Sequence, residues 1–218
     1  MEVVWIIEFI FFKWNIDFYN YLDTDNVWIV FSHVSDESTK QVWNFDFEFD
    51  YKVTLFDNGN QLKCEARVRN NSPIDSVSSA GVQVCFHTYF ALPSGIDNVQ
   101  VHGLKGNLYV DKVNDSKEFK EEGDNVSIAG EVDRVYKNVN GDVFIQDTQT
   151  NKKLVIEREN LDDIVVWNPW IGKAKSIGDL PDDGYKHFIC VETGQIASPY
   201  QLSSQQTISC SQVLRASL

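Results

Sequence analysis

Helical pattern is the first thing missing. No stretch holds a 3.6-residue apolar period for three turns, which argues against any helical class. Proline is sparse, with five residues that form no linker, and no repeat or low-complexity block divides the chain. A single domain of 218 residues is therefore expected. Positive charge is short as well: 19 Lys and Arg stand against 32 Asp and Glu, a net charge of −13. That balance speaks against non-specific binding to nucleic acid or to an anionic membrane surface. Four cysteines, Cys64, Cys85, Cys190 and Cys210, show no C-x-x-C spacing and sit in apolar, strand-like runs. They read as reduced core residues of a cytoplasmic protein. The opening run MEVVWIIEFIFF is too short for a bilayer span. It carries Glu2 and Glu8 where a leader would be basic, and no small-residue cleavage site follows. It is expected to be neither leader nor anchor but a strand, or a segment foreign to the fold.

Catalytic signatures of other kinds are also absent. There is no G-x-S-x-G elbow, P-loop, dinucleotide fingerprint or H-E-x-x-H. His33, His87, His102 and His187 lack metal-ligand spacing, and the turn-like GDLPDDG at Gly178–Gly184 does not match a calcium loop.

Strand alternation is what the sequence has in quantity. Phe45, Phe47, Phe49, Tyr51, Val53 and Leu55 share one face, with Asp46, Glu48, Asp50, Lys52 and Thr54 on the other. Asn58–Gly59 favours a type I′ turn, and the return strand places Leu62, Cys64, Ala66 and Val68 inside. Asn26–His33 reads as a buried strand. Val99–Val110 reads as strand, turn, strand around Gly103 and Gly106, and the charged run Asp115–Asp124 as a solvated loop. A turn at Asn140–Gly141 feeds Val143–Asp147. Further strands are expected at Lys153–Arg158, Asp163–Trp167, His187–Thr193 and Thr207–Leu214. The fold class is all-β, an antiparallel β-sandwich with Greek-key or meander connections.

Two strands carry an ionisable residue opposite an apolar face. In VQVCFHTYFAL, Val82–Leu92, the residues Val82, Val84, Phe86, Thr88 and Phe90 form the core face, while Gln83, Cys85, His87 and Tyr89 line the other. In HFICVETG, Ile189 and Val191 face the core, and Phe188, Cys190 and Glu192 point away from it. A carboxylate amid such apolar neighbours needs a partner, because an unpaired buried charge is costly. An ordinary half-exposed histidine and an edge or ion-paired glutamate remain the alternatives on these residues alone.

Five segments together carry a resemblance: VWNFDFEF (Val42–Phe49), FHTYF (Phe86–Phe90), EVDRVY (Glu131–Tyr136), VVWNPW (Val165–Trp170) and YKHFICVETG (Tyr185–Gly194). In order and spacing they resemble the glucose-6-phosphate 1-epimerase branch of the aldose 1-epimerase family, over residues 42–218 of the single domain 1–218. KWNID, Lys13–Asp17, matches one more segment faintly. The resemblance implies a galactose-mutarotase-like β-sandwich that interconverts the α and β anomers of a hexose or hexose 6-phosphate. It makes His87 the general acid toward the ring oxygen and Glu192 the general base toward the anomeric hydroxyl. Asp133 would bind a sugar hydroxyl, and Trp167 or Trp170 would shape the pocket. No cofactor or metal is implied, and a monomer acting on a small sugar or sugar phosphate is expected, with no nucleic acid and no membrane partner.

Residues 1–41 depart from the family's pattern. Its early A-I-R-G-G-like and H-G-F-A-R-like segments, whose arginines bind the sugar phosphate, have no counterpart here. Lys13, Arg67 and Arg69 are the basic residues nearby, the last two at solvent-facing hairpin positions, and a bidentate arginine is hard to replace for phosphate. The phosphate site and one edge of the sandwich are expected to be incomplete. Two other readings therefore stand beside the mutarotase: a carbohydrate-binding sandwich without catalysis, and an inactive, unstable truncated homologue.

Overall fold

The computed structural model describes residues 3–5, 15–17, 26–56, 59–74 and 79–217, and most of them lie in strands. In chain order these are β1 (Val3–Trp5), β2 (Asn15–Asp17), β3 (Asn26–Val34), β4 (Phe47–Phe56), β5 (Gln61–Asn70), β6 (Ala80–Phe86), β7 (Thr88–Ala91) and β8 (Val99–His102). They continue as β9 (Leu108–Asp111), β10 (Lys117–Lys120), β11 (Asn125–Ser127), β12 (Val132–Tyr136) and β13 (Val143–Asp147). The last are β14 (Lys153–Glu159), β15 (Asp163–Asn168), β16 (Phe188–Leu202) and β17 (Thr207–Ser217). Among the described residues, helix is confined to α1 (Glu37–Lys40), α2 (Trp170–Ala174) and two 3-10 turns, Ile96–Asn98 and Gly184–His187.

Two antiparallel sheets result. The first, of eight strands, runs β1-β7-β16-β15-β12-β9-β10, with β6 also paired to β16. The second, of nine, runs β11-β8-β13-β14-β17-β5-β4-β3-β2. Apolar side chains from both fill the space between them in two clusters. One gathers Phe90, Ile156, Ile189, Val191 and Leu214, the other Phe47, Tyr51, Cys64, Phe86 and Leu202. This is the sandwich that the alternation predicts.

The hairpin β4–β5 shows how directly pattern becomes structure. Phe49 pairs with Val68, Tyr51 with Ala66 and Val53 with Cys64, all toward the core, while Asp50 and Arg67 pair on the outer face with a 2.8 Å ion pair. The expected face loses its hold at one end, where Leu55 is 49% exposed; Phe45 precedes the strand but still packs against the core. Gly59 has φ +66°, as a tight turn requires; the turn's Asn58 lies outside the described residues.

Other expectations need correction. The strand at Asn26–His33 is present but mostly half-buried, with Val27 64% exposed, because β3 lies near the rim of its sheet beside β2. Val99–Val110 is strand, turn and strand as expected, but β8 belongs to the second sheet and β9 to the first, so the turn at Gly103 and Gly106 carries the chain between layers. The charged run Asp115–Asp124 contains a strand, β10, whose four residues are all exposed at the rim of the first sheet and paired with β9. His187 closes a 3-10 turn and the strand after it, β16, extends to Leu202 over 15 residues, bending between Gln195 and Tyr200. Of the opening apolar run, Val3–Trp5 forms β1 against β7, and the rest lies outside the described residues, as does Lys13.

Candidate active site

His87 occupies the one-residue gap between β6 and β7, both of which pair with β16. Phe86 opposite Thr193 and Tyr89 opposite Cys190 bracket it in one unbroken register, so His87 and Glu192 stand level on neighbouring strands. The register extends sideways: Tyr89, Cys190, Trp167 and Asp133 are successive neighbours across β7, β16, β15 and β12. Glu192 lies beside Val165, and Val165 beside Val135. Because side chains alternate, all of these share the face of the first sheet turned away from the sandwich interior. The intervening Phe90, Ile164, Val166, Ile189 and Val191 point the other way, into the core.

The two ionisable groups touch. His87 Nε2 lies 3.2 Å from Glu192 Oε1, with the imidazole side chain 32% exposed and the carboxylate side chain 6%. The other carboxylate oxygen, Oε2, accepts from the Cys85 thiol at 3.2 Å. An aromatic wall holds the imidazole. It stacks on Tyr89 with centroids 5.0 Å apart and planes at 13°, and it meets Trp167 edge-on at 5.8 Å. Phe188 closes the wall against Tyr89 and Trp167. Burial pushes the Cys85 and Cys190 thiols and the Tyr89 hydroxyl upward, and the negative charge of Glu192 adds to each. All three therefore stay protonated at neutral pH, and Glu192 keeps a hydrogen-bond donor.

Local sequence explains how the wall is held. Asn168 is buried, and its amide nitrogen donates to the carbonyls of Tyr185 and Phe188, each at 2.9 Å. Its side-chain oxygen accepts from the Trp170 backbone at 2.9 Å, at a residue with φ +53°. One asparagine thus pins the end of β15, the start of α2 and the entry to β16. Beneath the site, Gln212 reaches from the second sheet between two buried threonines. It accepts from Thr193 and donates to Thr88, both at 3.0 Å.

Of the residues singled out from sequence, His87, Glu192 and Trp167 come together directly. Asp133 lies next to Trp167, with the Lys173 ammonium 3.9 Å from its carboxylate and 3.7 Å from Glu131. Trp170 is placed differently: its ring meets Tyr185 at 5.1 Å and packs against the core, so it supports the wall from behind. Cys85, Tyr89, Cys190 and Phe188 are contacts to which the sequence reading gave no role. The signal was present, since alternation sets each of them on the same face as His87 or Glu192. His33 and His102 belong to the second sheet, and His187 to an exposed turn.

Comparison with known proteins gives the family. The family model described as aldose 1-epimerase matches residues 12–215. The chain belongs to the aldose 1-epimerase family. Within it, a protein of Cenchrus ciliaris is 36% identical over 166 residues, 76% of this chain and 49% of its own length. One from Escherichia coli strain K12 is 31% identical over 193 residues, 88% of this chain and 61% of its own. Both bear the name "Putative glucose-6-phosphate 1-epimerase". The crystal structure of YeaD from Salmonella typhimurium superposes with a TM-score of 0.81 at 29% identity, covering 94% of this chain and 64% of that one. This family member thus spans about half to three-fifths of the curated relatives' length. Its Arg67 and Arg69 both lie on β5, in the sheet opposite the site. Arg67 is paired with Asp50 at 2.8 Å, and Arg69 donates to Gln205 at 3.0 Å.

Proposed function

We propose that this aldose 1-epimerase family member interconverts the anomers of a hexose 6-phosphate, glucose 6-phosphate first among them, with His87 as acid and Glu192 as base. The observation that carries the reading is the 3.2 Å contact of His87 Nε2 with Glu192 Oε1 on the outward face of the first sheet. A cyclic hemiacetal bears two oxygens on one carbon, the ring oxygen and the anomeric hydroxyl, so an acid and a base serving both must be near neighbours. His87 gives its proton to the ring oxygen while Glu192 takes the hydroxyl proton. The ring C–O bond breaks and an open-chain aldehyde forms. Rotation about C1–C2 presents the other carbonyl face, and the same two groups run the transfer backwards to close the ring. Asp133 binds a hydroxyl, and Trp167 and Tyr89 give the sugar's apolar face a surface. The names of the relatives support the phosphorylated substrate.

Anomer exchange of glucose 6-phosphate followed by NMR tests this. His87→Ala and Glu192→Gln are each expected to lower the catalysed rate by about 10²–10⁴-fold. A folded wild-type chain that leaves the spontaneous rate of both glucose 6-phosphate and free glucose unchanged would reduce this face to a sugar-binding site.

A further inference from the structure

The corner that holds the acid–base pair also gathers soft metal donors. His87, Cys190 and Glu192 each offer a ligand atom, and these atoms lie within 4.8 Å of one another. Cys190 and Glu192 are buried, while half-buried His87 opens the corner to solvent. Cys85 donates to Glu192 Oε2 at 3.2 Å, and Oε1 is the carboxylate oxygen on the His87 side. Nitrogen, sulfur and carboxylate oxygen around one point suit zinc-like ions, with bonds of about 2.3 Å to sulfur and about 2.0–2.2 Å to nitrogen or oxygen. Tetrahedral donors at those lengths stand roughly 3.3–3.7 Å apart, so side-chain rotation of about an ångström completes the set. The charges also close. A dication with one carboxylate, one thiolate and a neutral imidazole is a neutral cluster, the form that a buried position tolerates.

We propose that His87, Cys190 and Glu192 form an inhibitory site for a thiophilic divalent cation of the zinc and cadmium kind. As the metal–sulfur bond forms, the Cys190 thiol proton leaves to solvent, and the fourth coordination position is open to water or an added ligand from the half-exposed His87 side. The bound ion takes the imidazole nitrogen and the carboxylate oxygen that anomer exchange uses. This consequence rests on the mutarotase reading; the binding itself does not.

The test is a cadmium titration of the purified chain, read by the ultraviolet thiolate-to-cadmium charge-transfer band, with circular dichroism to check folding. The band is expected to saturate at one cadmium per chain and to vanish in Cys190→Ser. Affinity should fall at least about tenfold in His87→Ala, whose half-exposed position spares the fold. Cys210→Ser, in the core cluster of Phe47 and Leu202, should keep the band. A band undiminished in Cys190→Ser or unweakened in His87→Ala, or a folded wild type with no band, overturns the site. In a catalytically active chain, zinc should slow glucose 6-phosphate exchange and a chelator should restore it. Zinc that binds without slowing exchange overturns the inhibitory role. If the chain catalyses no exchange, the function proposed above falls while the cadmium titration still decides the site.

Discussion

At the scale of single residues, the site depends on a side chain that never touches it. Gln212 lies on β17 in the second sheet, fully buried, and holds Thr88 and Thr193 across the interior. Those threonines are the immediate neighbours of His87 and Glu192, and their inward hydroxyls fix the outward direction of the next side chains. Gln212→Ala removes the acceptor of the buried Thr193 hydroxyl and leaves Thr88 only its 3.4 Å bond to the Phe86 carbonyl, and is expected to cost about 1–3 kcal/mol. A urea midpoint lowered at unchanged slope would show it. The same variant should slow anomer exchange more than Leu154→Ala, a core truncation in β14; equal slowing would mean that Gln212 serves stability alone. Sequence made His87 and Glu192 legible because each interrupts an otherwise apolar strand. It left Gln212 unremarked because a glutamine within TISCSQVL carries no sign of whether its face meets water or another buried polar group. Trp170 shows the complementary limit: the motif VVWNPW is visible, but the left-handed backbone that turns this ring toward Tyr185 is not written in the alternation.

At the scale of elements, the decisive event is the passage from β8 to β9, where the chain leaves one sheet for the other. Gly103 makes it possible. Its φ is +91°, and a Cβ there would clash with the Asp142 carbonyl oxygen, within the backbone of the loop before β13. Neither the dihedral nor the contact can be relieved by a side-chain rotation, so Gly103→Ala is expected to destabilise by about 2–4 kcal/mol. The equivalent change at Gly106, where a Cβ would meet nothing within 4 Å, should cost less despite its φ of +82°. Thermal melts of the pair check the order, and equal losses would mean that backbone strain alone decides. The strands on either side were legible from their alternation, but their assignment to different sheets was not. A strand, a glycine turn and another strand read alike whether the chain folds back or crosses over. The same blindness hid β10: its four residues are all exposed, so no apolar face marked them, and only pairing with β9 makes them a strand.

At the scale of the whole molecule, two sheets packed over apolar clusters bury ionisable groups that prefer to stay protonated. Burial pushes the Cys64 and Cys210 thiols up from 9.0 to about 12, and it raises Cys85, Cys190 and Tyr51 in the same direction. A native state that holds its protons more tightly than the unfolded chain is favoured in full below the unfolded value. It loses that advantage once the unfolded thiols ionise, until the native thiols ionise too. The window therefore opens near pH 9 and extends to about pH 12 for Cys64 and Cys210, and stability must fall as pH rises through it. Urea midpoints measured upward from pH 9 should decline, and Cys210→Ala, with one such thiol fewer, should decline less steeply from its own lower starting point. A variant with the wild-type slope would show that the alkaline loss comes from the repulsion of a chain already carrying a net charge of −13. These sources separate cleanly, because added salt screens charge repulsion between exposed groups but leaves the protonation of a buried thiol in place.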